Sequence, residues 1–430
     1  MHEIVHLSHG PQANYLNTLF YNCQQNYFVY RDDQVARSLV DPSVRFVAGK
    51  EYTPRAAFWD FRNGFGNLGK TSRVYEQIDS KQDILTQNGA VEVPATLTPA
   101  GSYWTDYLKV RVHPQSKHEI PGWEFDPELA PYGQVKGHTE GMSFATFDQG
   151  VDEYRQAEVE NSHEYLDLTV RRIFEQCDSL AGINMLTDMT GWGGWTAAML
   201  EPLRDDYASK VPIFSWAMSS ARLKQRVTID SHLETILALN EYSDLVIPIA
   251  TDANQSFLQN AQRVNLLFET ICLNSSLRQS RLSMREIADD LTIGTSAKIV
   301  SGSVAGSSLR LPELKTKRHI EACTGFLRSV NEPLSKAQQS EIWDTRFQEE
   351  AKVSAGTAEH KLHRHFVPQS LPTAEFEGYD SNYVYADLTL DEGVRNLESL
   401  VGPNYDLRTR VLDMTQEYSW TWQDSDDDYN

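Results

Sequence analysis

Short apolar stretches alternate with amphipathic ones over about the first 250 residues of the chain. Apolar runs predict strands at Glu3–Leu7, Ala56–Phe61, Ile183–Leu186, Val211–Trp216 and Leu245–Ala250. Apolar residues at helical spacing predict helices at Ala13–Phe28, Asp152–Ser179, Thr196–Tyr207 and Ile229–Glu241. This alternation predicts an α/β fold, in which a parallel sheet is flanked by helices on both faces.

The last third of the chain has a less regular pattern. It predicts helices at Gln255–Leu273, Leu334–Ala355 and Asp391–Val401, a strand at Val384–Leu388, and long loops in the Ser- and Thr-rich segment Asn274–Leu309. We therefore divide the chain into an α/β domain (1–220, with an excursion near 115–150), a core helix and last strand of that domain (221–255), and an α+β and helical domain (256–423). The acidic run at 424–430 is expected to be a disordered tail.

Charge and composition restrict the classes of function. The 430 residues include 39 Lys and Arg against 60 Asp and Glu, a formal net charge of −21. Such a surface repels nucleic acid and anionic lipid, so we expect direct binding to neither. We see no signal or transit peptide and no apolar run of about 18 residues, and therefore expect a soluble protein made in the cytosol. The cysteines, which are expected to be buried thiols without zinc spacing, are Cys23, Cys177, Cys272 and Cys323.

One segment matches a phosphate-loop motif literally. Gly64–Thr71 fits G-x-x-x-x-G-K-[ST], in which backbone N–H groups and Lys70 would hold phosphates and Thr71 would hold magnesium. The segment Ser72–Gln77 after it has only a weak apolar face, and Asp60 interrupts the strand before it. A glycine-rich turn is the favoured interpretation.

Two other turns lie where α/β sheets place ligands. Ser8–Asn14 joins the first strand to the first helix through a glycine, an arrangement that presents N–H groups to a phosphate. Asp188–Thr196 follows a parallel strand and contains Gly191, Gly193 and Gly194. Because this second turn also carries two tryptophans, we favour a tight strand–helix turn whose indoles pack inward.

Other catalytic or metal-binding patterns are weak. His360, His363 and His365 form a histidine cluster without cysteines or a clear carboxylate set, which favours a solvated basic helix face over a metal site. There is no G-x-S-x-G motif and no cysteine in a recognisable nucleophile context.

The first half of the chain resembles the Misato family, tubulin-like mitochondrial distribution proteins of fungi and animals. Five segments carry this resemblance: His2–Phe28, Thr53–Leu68, Tyr103–Ser116, Phe174–Asp188 and Glu201–Tyr207. It implies a tubulin/FtsZ-like fold and a role in mitochondrial inheritance and morphology, with a mitochondrion-associated or cytoplasmic location and protein partners of unknown identity.

The resemblance also implies a vestigial nucleotide site. The residues that it places there are Gly10, Gln12, Ala13, Asp60, Gly191, Gly193, Gly194 and Thr196. The chain departs from the tubulins in this site, since Trp192 and Trp195 stand where a phosphate loop has small residues. It also lacks an N-x-D or N-x-E motif between Gln255 and Arg328. We therefore expect a non-enzymatic protein without a cofactor; the alternatives are a GTP-binding switch or slow GTPase, and a P-loop ATPase that uses Lys70.

Overall fold

The structure is a computed structural model of the chain. It describes residues 2–28, 39–49, 52–66, 103–125, 133–135, 143–160, 164–219, 226–292, 295–304, 307–311, 320–351, 361–371 and 382–423. Three sequence-based expectations lie outside these ranges: the Lys70-Thr71 half of the phosphate-loop motif, His360 and the acidic tail.

Strands and helices alternate through the described part of the chain. The strands are β1 (Glu3–His9), β2 (Phe46–Val47), β3 (Thr53–Pro54), β4 (Ala56–Arg62), β5 (Lys117–Phe125), β6 (Gly133–Val135), β7 (Leu180–Asp188), β8 (Ile213–Ser219), β9 (Leu245–Ala250), β10 (Ser301–Val304), β11 (Ser307–Ser308), β12 (Ile320–Val330), β13 (Lys361–Ser370) and β14 (Tyr383–Asp391). The α-helices are α1 (Pro11–Gln25), α2 (Phe147–Glu160), α3 (Arg171–Glu175), α4 (Gly191–Pro202), α5 (Arg226–Tyr242), α6 (Phe257–Asn274), α7 (Met284–Thr292), α8 (Lys336–Ala351), α9 (Leu397–Leu400) and α10 (Tyr405–Gln423).

The first sheet confirms the predicted α/β class. Its strand order is β6-β5-β4-β1-β7-β8-β9, and every pairing is parallel except that of β5 with β6. From β1 the chain passes through α1 to β4 on one side, and from β7 it passes through α4 to β8 on the other. Right-handed crossovers in opposite directions place α1 and α4 on opposite faces of the sheet. The crevice between β1 and β7 is therefore the topological switch point, where sheets of this kind bind ligands.

The second sheet confirms the α+β character of the C-terminal part. Its order is β11-β10-β14-β12-β13. The expectation of long loops over Asn274–Leu309 is wrong, because the segment contains α7, β10 and β11. Helix α7 buries Met284, Ile287 and Leu291 on one face, and Ser283 caps it reciprocally with Glu286. The Ser283–Glu286 spacing is a helix-start signal in the sequence, but the Ser- and Thr-rich composition of the segment favoured loops instead.

Two helical predictions and the histidine assignment need correction. The helix predicted over Asp152–Ser179 is interrupted: α2 ends at Glu160, a π-helical turn spans Glu164–Val170, and α3 ends at Glu175. The one predicted over Asp391–Val401 is a 3₁₀ turn followed by the four-residue α9. His363 and His365 lie on strand β13, not on a helix, and period-two spacing turns both rings toward Asp290, each at 3.2 Å.

Burial explains why the cysteine thiols are unreactive. Three cysteines are buried, Cys177 is half-buried, and all four are free thiols. Burial raises the pKa of the Cys177 and Cys272 thiols to about 11. Both thiols are therefore protonated at neutral pH, when a reactive cysteine would need a thiolate.

Candidate functional site

The candidate site is the carboxyl edge of β1, β4 and β7, at the switch point of the sheet. Gly10 follows β1, Asp60 lies near the end of β4, and Asp188 is the last residue of β7. Parallel pairing of β1 with both neighbours brings these three ends together. Two of the sequence-predicted positions therefore meet here, together with Asp188, which the sequence marked only as the start of a turn.

The Asp188 carboxylate occupies the amino terminus of α1. Its Oδ2 accepts a hydrogen bond from the Gln12 backbone N–H at 3.1 Å, and its Oδ1 accepts one from Ala13 N–H at 2.9 Å. The first N–H groups of a helix have no partner within the helix and carry partial positive charge, so they attract an anion. Here the Asp188 side chain takes that place, across a sequence separation that no local motif could reveal.

Gly10 allows this contact to form. Its φ is +99°, and a Cβ atom there would lie 2.7 Å from Trp192 Cδ1 and 2.8 Å from Asp188 Oδ2. Any side chain would therefore push away either the indole or the carboxylate. In this structure the absence of a side chain at Gly10 lets Trp192 and Asp188 pack closely against the turn.

Asp60 is buried beside this contact and is surrounded by donors. It accepts hydrogen bonds from Trp104 Nε1 at 2.7 Å, from Asn14 Nδ2 at 3.2 Å and from the Phe61 N–H at 2.8 Å. Burial nevertheless raises the pKa of Asp60 to about 7. Burial also raises the pKa of Asp188 well above its usual range, and the nearby Asp60 charge adds to this. Two acidic groups thus share a buried site that favours the neutral, protonated form of each.

The glycines after β7 form the first turn of α4, so this helix begins five residues earlier than predicted. A Cβ on Gly191 would lie 2.7 Å from the Phe144 ring, and one on Gly193 would lie 2.1 Å from Thr235 Oγ1. A Cβ on Gly194 would lie 1.8 Å from the Phe147 carbonyl oxygen. In the structure these glycines let neighbouring segments and helices pack closely against α4.

Thr196 and the two tryptophans complete the closed packing. Thr196 Oγ1 lies 2.8 Å from His9 Nδ1 and donates to the Trp192 carbonyl at 2.8 Å. Trp192 is fully buried with its ring centroid 5.0 Å from that of Phe61, and Trp195 is fully buried 5.2 Å from Tyr154. The tryptophans therefore pack inward, as the tight-turn interpretation predicted.

The sequence matches to known proteins include the strands and turns that form this site. A family model described as the Misato Segment II tubulin-like domain matches residues 2–108, and one described as a tubulin domain matches residues 93–277. The chain belongs to the Misato/DML1 family of tubulin-like proteins. Protein DML1 of Yarrowia lipolytica is 30% identical over 280 residues, covering 58% of each chain. Protein dml-1 of Neurospora crassa is 26% identical over 339 residues, covering 68% of this chain and 60% of its own. The chain thus spans about three fifths of the length of these relatives.

The Misato/DML1 chain builds the start of its other glycine-rich motif as a packed turn. Asn63 and Gly66 have positive φ values of 64° and 48°. A Cβ on Gly64 would lie 2.6 Å from Asp60 Cγ, and one on Gly66 would meet the Tyr103 ring at 2.6 Å. These glycines let Asp60 and Tyr103 approach the backbone. This close packing explains the presence of glycine at both positions, with no need for a bound phosphate.

The described residues hold no group of three or more His, Cys, Asp or Glu side chains arranged for a metal ion. Nor does this part of the chain include a helix of sufficient length and hydrophobicity to cross a membrane.

Proposed function

We propose that this tubulin-like protein is a non-enzymatic scaffold that works without bound guanine nucleotide. The observation that carries the proposal is the pair of hydrogen bonds from Gln12 and Ala13 to Asp188. A phosphate would need the same two N–H donors that the Asp188 side chain already occupies, so the chain itself fills the position where a phosphate would bind. The fully buried Trp192 beside Gly10 further narrows the room for a triphosphate.

The cellular part of the proposal rests on the family resemblance. We propose that the scaffold acts through protein partners in mitochondrial partitioning, inheritance and morphology, at the mitochondrion or in the cytoplasm. In cells that lack the protein, we expect unequal delivery of mitochondria to daughter cells. A Lys70→Ala chain should restore equal delivery, whereas failure of that variant at normal abundance would support the ATPase alternative.

The nucleotide content of freshly purified protein tests the biochemical part. We expect acid extraction followed by mass spectrometry to find neither guanine nor adenine nucleotide. A tubulin preparation carried through the same steps is the positive control for extraction. Stoichiometric guanine nucleotide would contradict the scaffold and support a GTP-binding switch, and adenine nucleotide would support the P-loop.

Removing the carboxylate tests its role directly. We expect Asp188→Ala to lower the free energy of unfolding by about 1–3 kcal/mol, because two buried N–H groups lose their partner. Added inorganic phosphate should restore part of this loss in the variant and should not stabilise the natural chain. Asp178→Ala, which removes the same side chain from an exposed position, is the matched control. Equal stabilisation of all three proteins by phosphate would show that Asp188 does not fill an anion position.

A further inference from the structure

A small pocket lies at the opposite edge of the first sheet from Asp188. It has a volume of about 190 Å³ and lies between the β2–β3 hairpin, the turn before β5, and the segment that ends in α3. Strands β4 and β5 begin at this edge, and Asp188 is at the carboxyl edge. Strands of seven residues separate the two edges by about 20 Å. We call this the amino-edge pocket; it is independent of the nucleotide-type site.

Hydrogen-bond donors gather at the amino-edge pocket. The exposed Arg172 donates to the side-chain oxygen of Gln115, which leaves the Gln115 amide nitrogen turned away from that contact. His113 Nδ1 accepts from the Gln115 backbone N–H at 3.2 Å, so the proton of the neutral ring is assigned to Nε2. Burial, followed by the Arg172 charge, lowers the pKa of His113 and favours that neutral form. A guanidinium, a neutral imidazole and an amide side chain thus line one small volume.

The described residues of the lining include no Asp or Glu that could accept from these donors. In a chain with 60 acidic and 39 basic residues, this pocket thus carries one cation, Arg172, among otherwise neutral described residues. Among the described residues, Arg172 has no carboxylate within ion-pair distance, whereas its neighbour Arg171 pairs with Glu175 at 2.8 Å. The pocket therefore complements an external negative charge.

An apolar wall adds a second requirement. Val47, Ile173 and Leu168 line the same pocket, and Leu168 is 53% exposed, which is uncommon for a large aliphatic side chain. A bare phosphate or other small anion would leave this wall in contact with water. A volume of about 190 Å³ is below the roughly 300–1,000 Å³ of typical small-molecule pockets and suits one or two side chains.

We propose that the amino-edge pocket binds a protein partner through a short segment in which a carboxylate side chain neighbours an aliphatic one. The carboxylate pairs with Arg172 and the His113 N–H, and the aliphatic group covers Leu168. This inference rests on the proposed scaffold function, since it names the chemistry of one partner contact. Arginine–carboxylate pairs give such contacts orientation as well as affinity.

Fluorescence anisotropy with labelled octapeptides tests the pocket on the full chain. We expect saturable binding of a peptide with a Leu-Glu-Leu-Glu centre, and at least tenfold weaker binding of the Leu-Gln-Leu-Gln and Ser-Glu-Ser-Glu peptides. Arg172→Gln and Leu168→Ser should each weaken binding of the first peptide at least tenfold. Arg171→Gln, which removes a neighbouring charge already paired with Glu175, should leave it unchanged.

Three results would overturn the proposal. The first two are the absence of saturable binding and equal binding of the Leu-Glu peptide by Arg172→Gln. The third is that inorganic phosphate displaces the bound Leu-Glu peptide as effectively as the Ser-Glu peptide does. Both lost side chains are exposed, so circular dichroism should show all variants folded. Nucleotide content is measured in the same preparation. If the protein contains guanine nucleotide and binds the peptide, only the proposal of a nucleotide-free scaffold is contradicted. If it contains no nucleotide and does not bind the peptide, only the proposed role of the amino-edge pocket is contradicted.

Discussion

Gly194→Ala is expected to lower the free energy of unfolding by about 3 kcal/mol, one of the two largest effects that we predict. The added Cβ would lie 1.8 Å from the Phe147 carbonyl oxygen, far inside contact distance. That oxygen belongs to the backbone at the start of α2, so it can move only if the two helices separate. Gly150, on the facing helix, is equally restricted, because its Cβ would lie 1.6 Å from the Gly191 carbonyl oxygen.

Chemical and thermal denaturation of Gly194→Ala measures this effect against a matched control. Gly402→Ala introduces the same methyl group, but the atoms it meets are the guanidinium end of Arg226, at 2.4 Å. A flexible side chain can move aside, so we expect that variant to lose less than about 1 kcal/mol. If Gly194→Ala kept its stability and instead lost a bound nucleotide, the glycines would be a phosphate cradle and the packing explanation would be wrong.

Mild acid is expected to unfold the protein. Burial lowers the pKa of His9 to about 3 and those of His118 and His232 to about 4, and burial and then the Arg45 charge lower that of His6. Each of these rings is neutral when folded and takes up a proton on unfolding below its ordinary pKa of about 6.5. The stability that they contribute is complete above that value and is lost as the pH falls toward the folded values.

The two buried acids act in the opposite direction. The pKa of Asp60 is raised to about 7 and that of Asp188 is also raised, so both release a proton on unfolding between their ordinary values and the folded ones. Four protons taken up by histidines less two released by carboxyls leaves a net uptake of about two. Between about pH 4.5 and 5.5, where the unfolded rings are protonated and the folded ones are not, stability should therefore fall by about 2.7 kcal/mol per pH unit as the pH drops.

Denaturant unfolding at a series of pH values between about 4.5 and 5.5 measures this slope. His118→Gln should reduce it by about 1.4 kcal/mol per pH unit, because one proton is removed from the balance. Asp60→Asn should steepen it by a similar amount, since an opposing group is lost. The exposed His2 supplies the control His2→Gln, with an unchanged slope. An unchanged slope in His118→Gln would show that the buried rings do not set the acid sensitivity.

Much of the first sheet was predictable from local pattern. Strand β9 has the bounds that were predicted, and the structure extends β1, β4 and β7 by only a few residues. Parallel strands buried on both faces appear in a sequence as continuous apolar runs, which local inspection detects. Strand β5 was not predicted because Lys117–Phe125 has no continuous apolar run: only Ile120 and Trp123 are buried, and the other residues are half-buried.

The sequence by itself determined the α/β class, the family resemblance and the positions of the glycine-rich turns, because these depend on local periodicity and on motifs along the chain. Only the tertiary structure decided how the glycines are used. In the sequence, a glycine that makes room for a phosphate cannot be told from one that makes room for a helix backbone. The neighbour of Gly194 is Phe147, on a helix that is distant in sequence but packed against it. Likewise, 176 positions separate Asp188 from Gln12, and only the pairing of β1 with β7 brings its carboxylate to the start of α1.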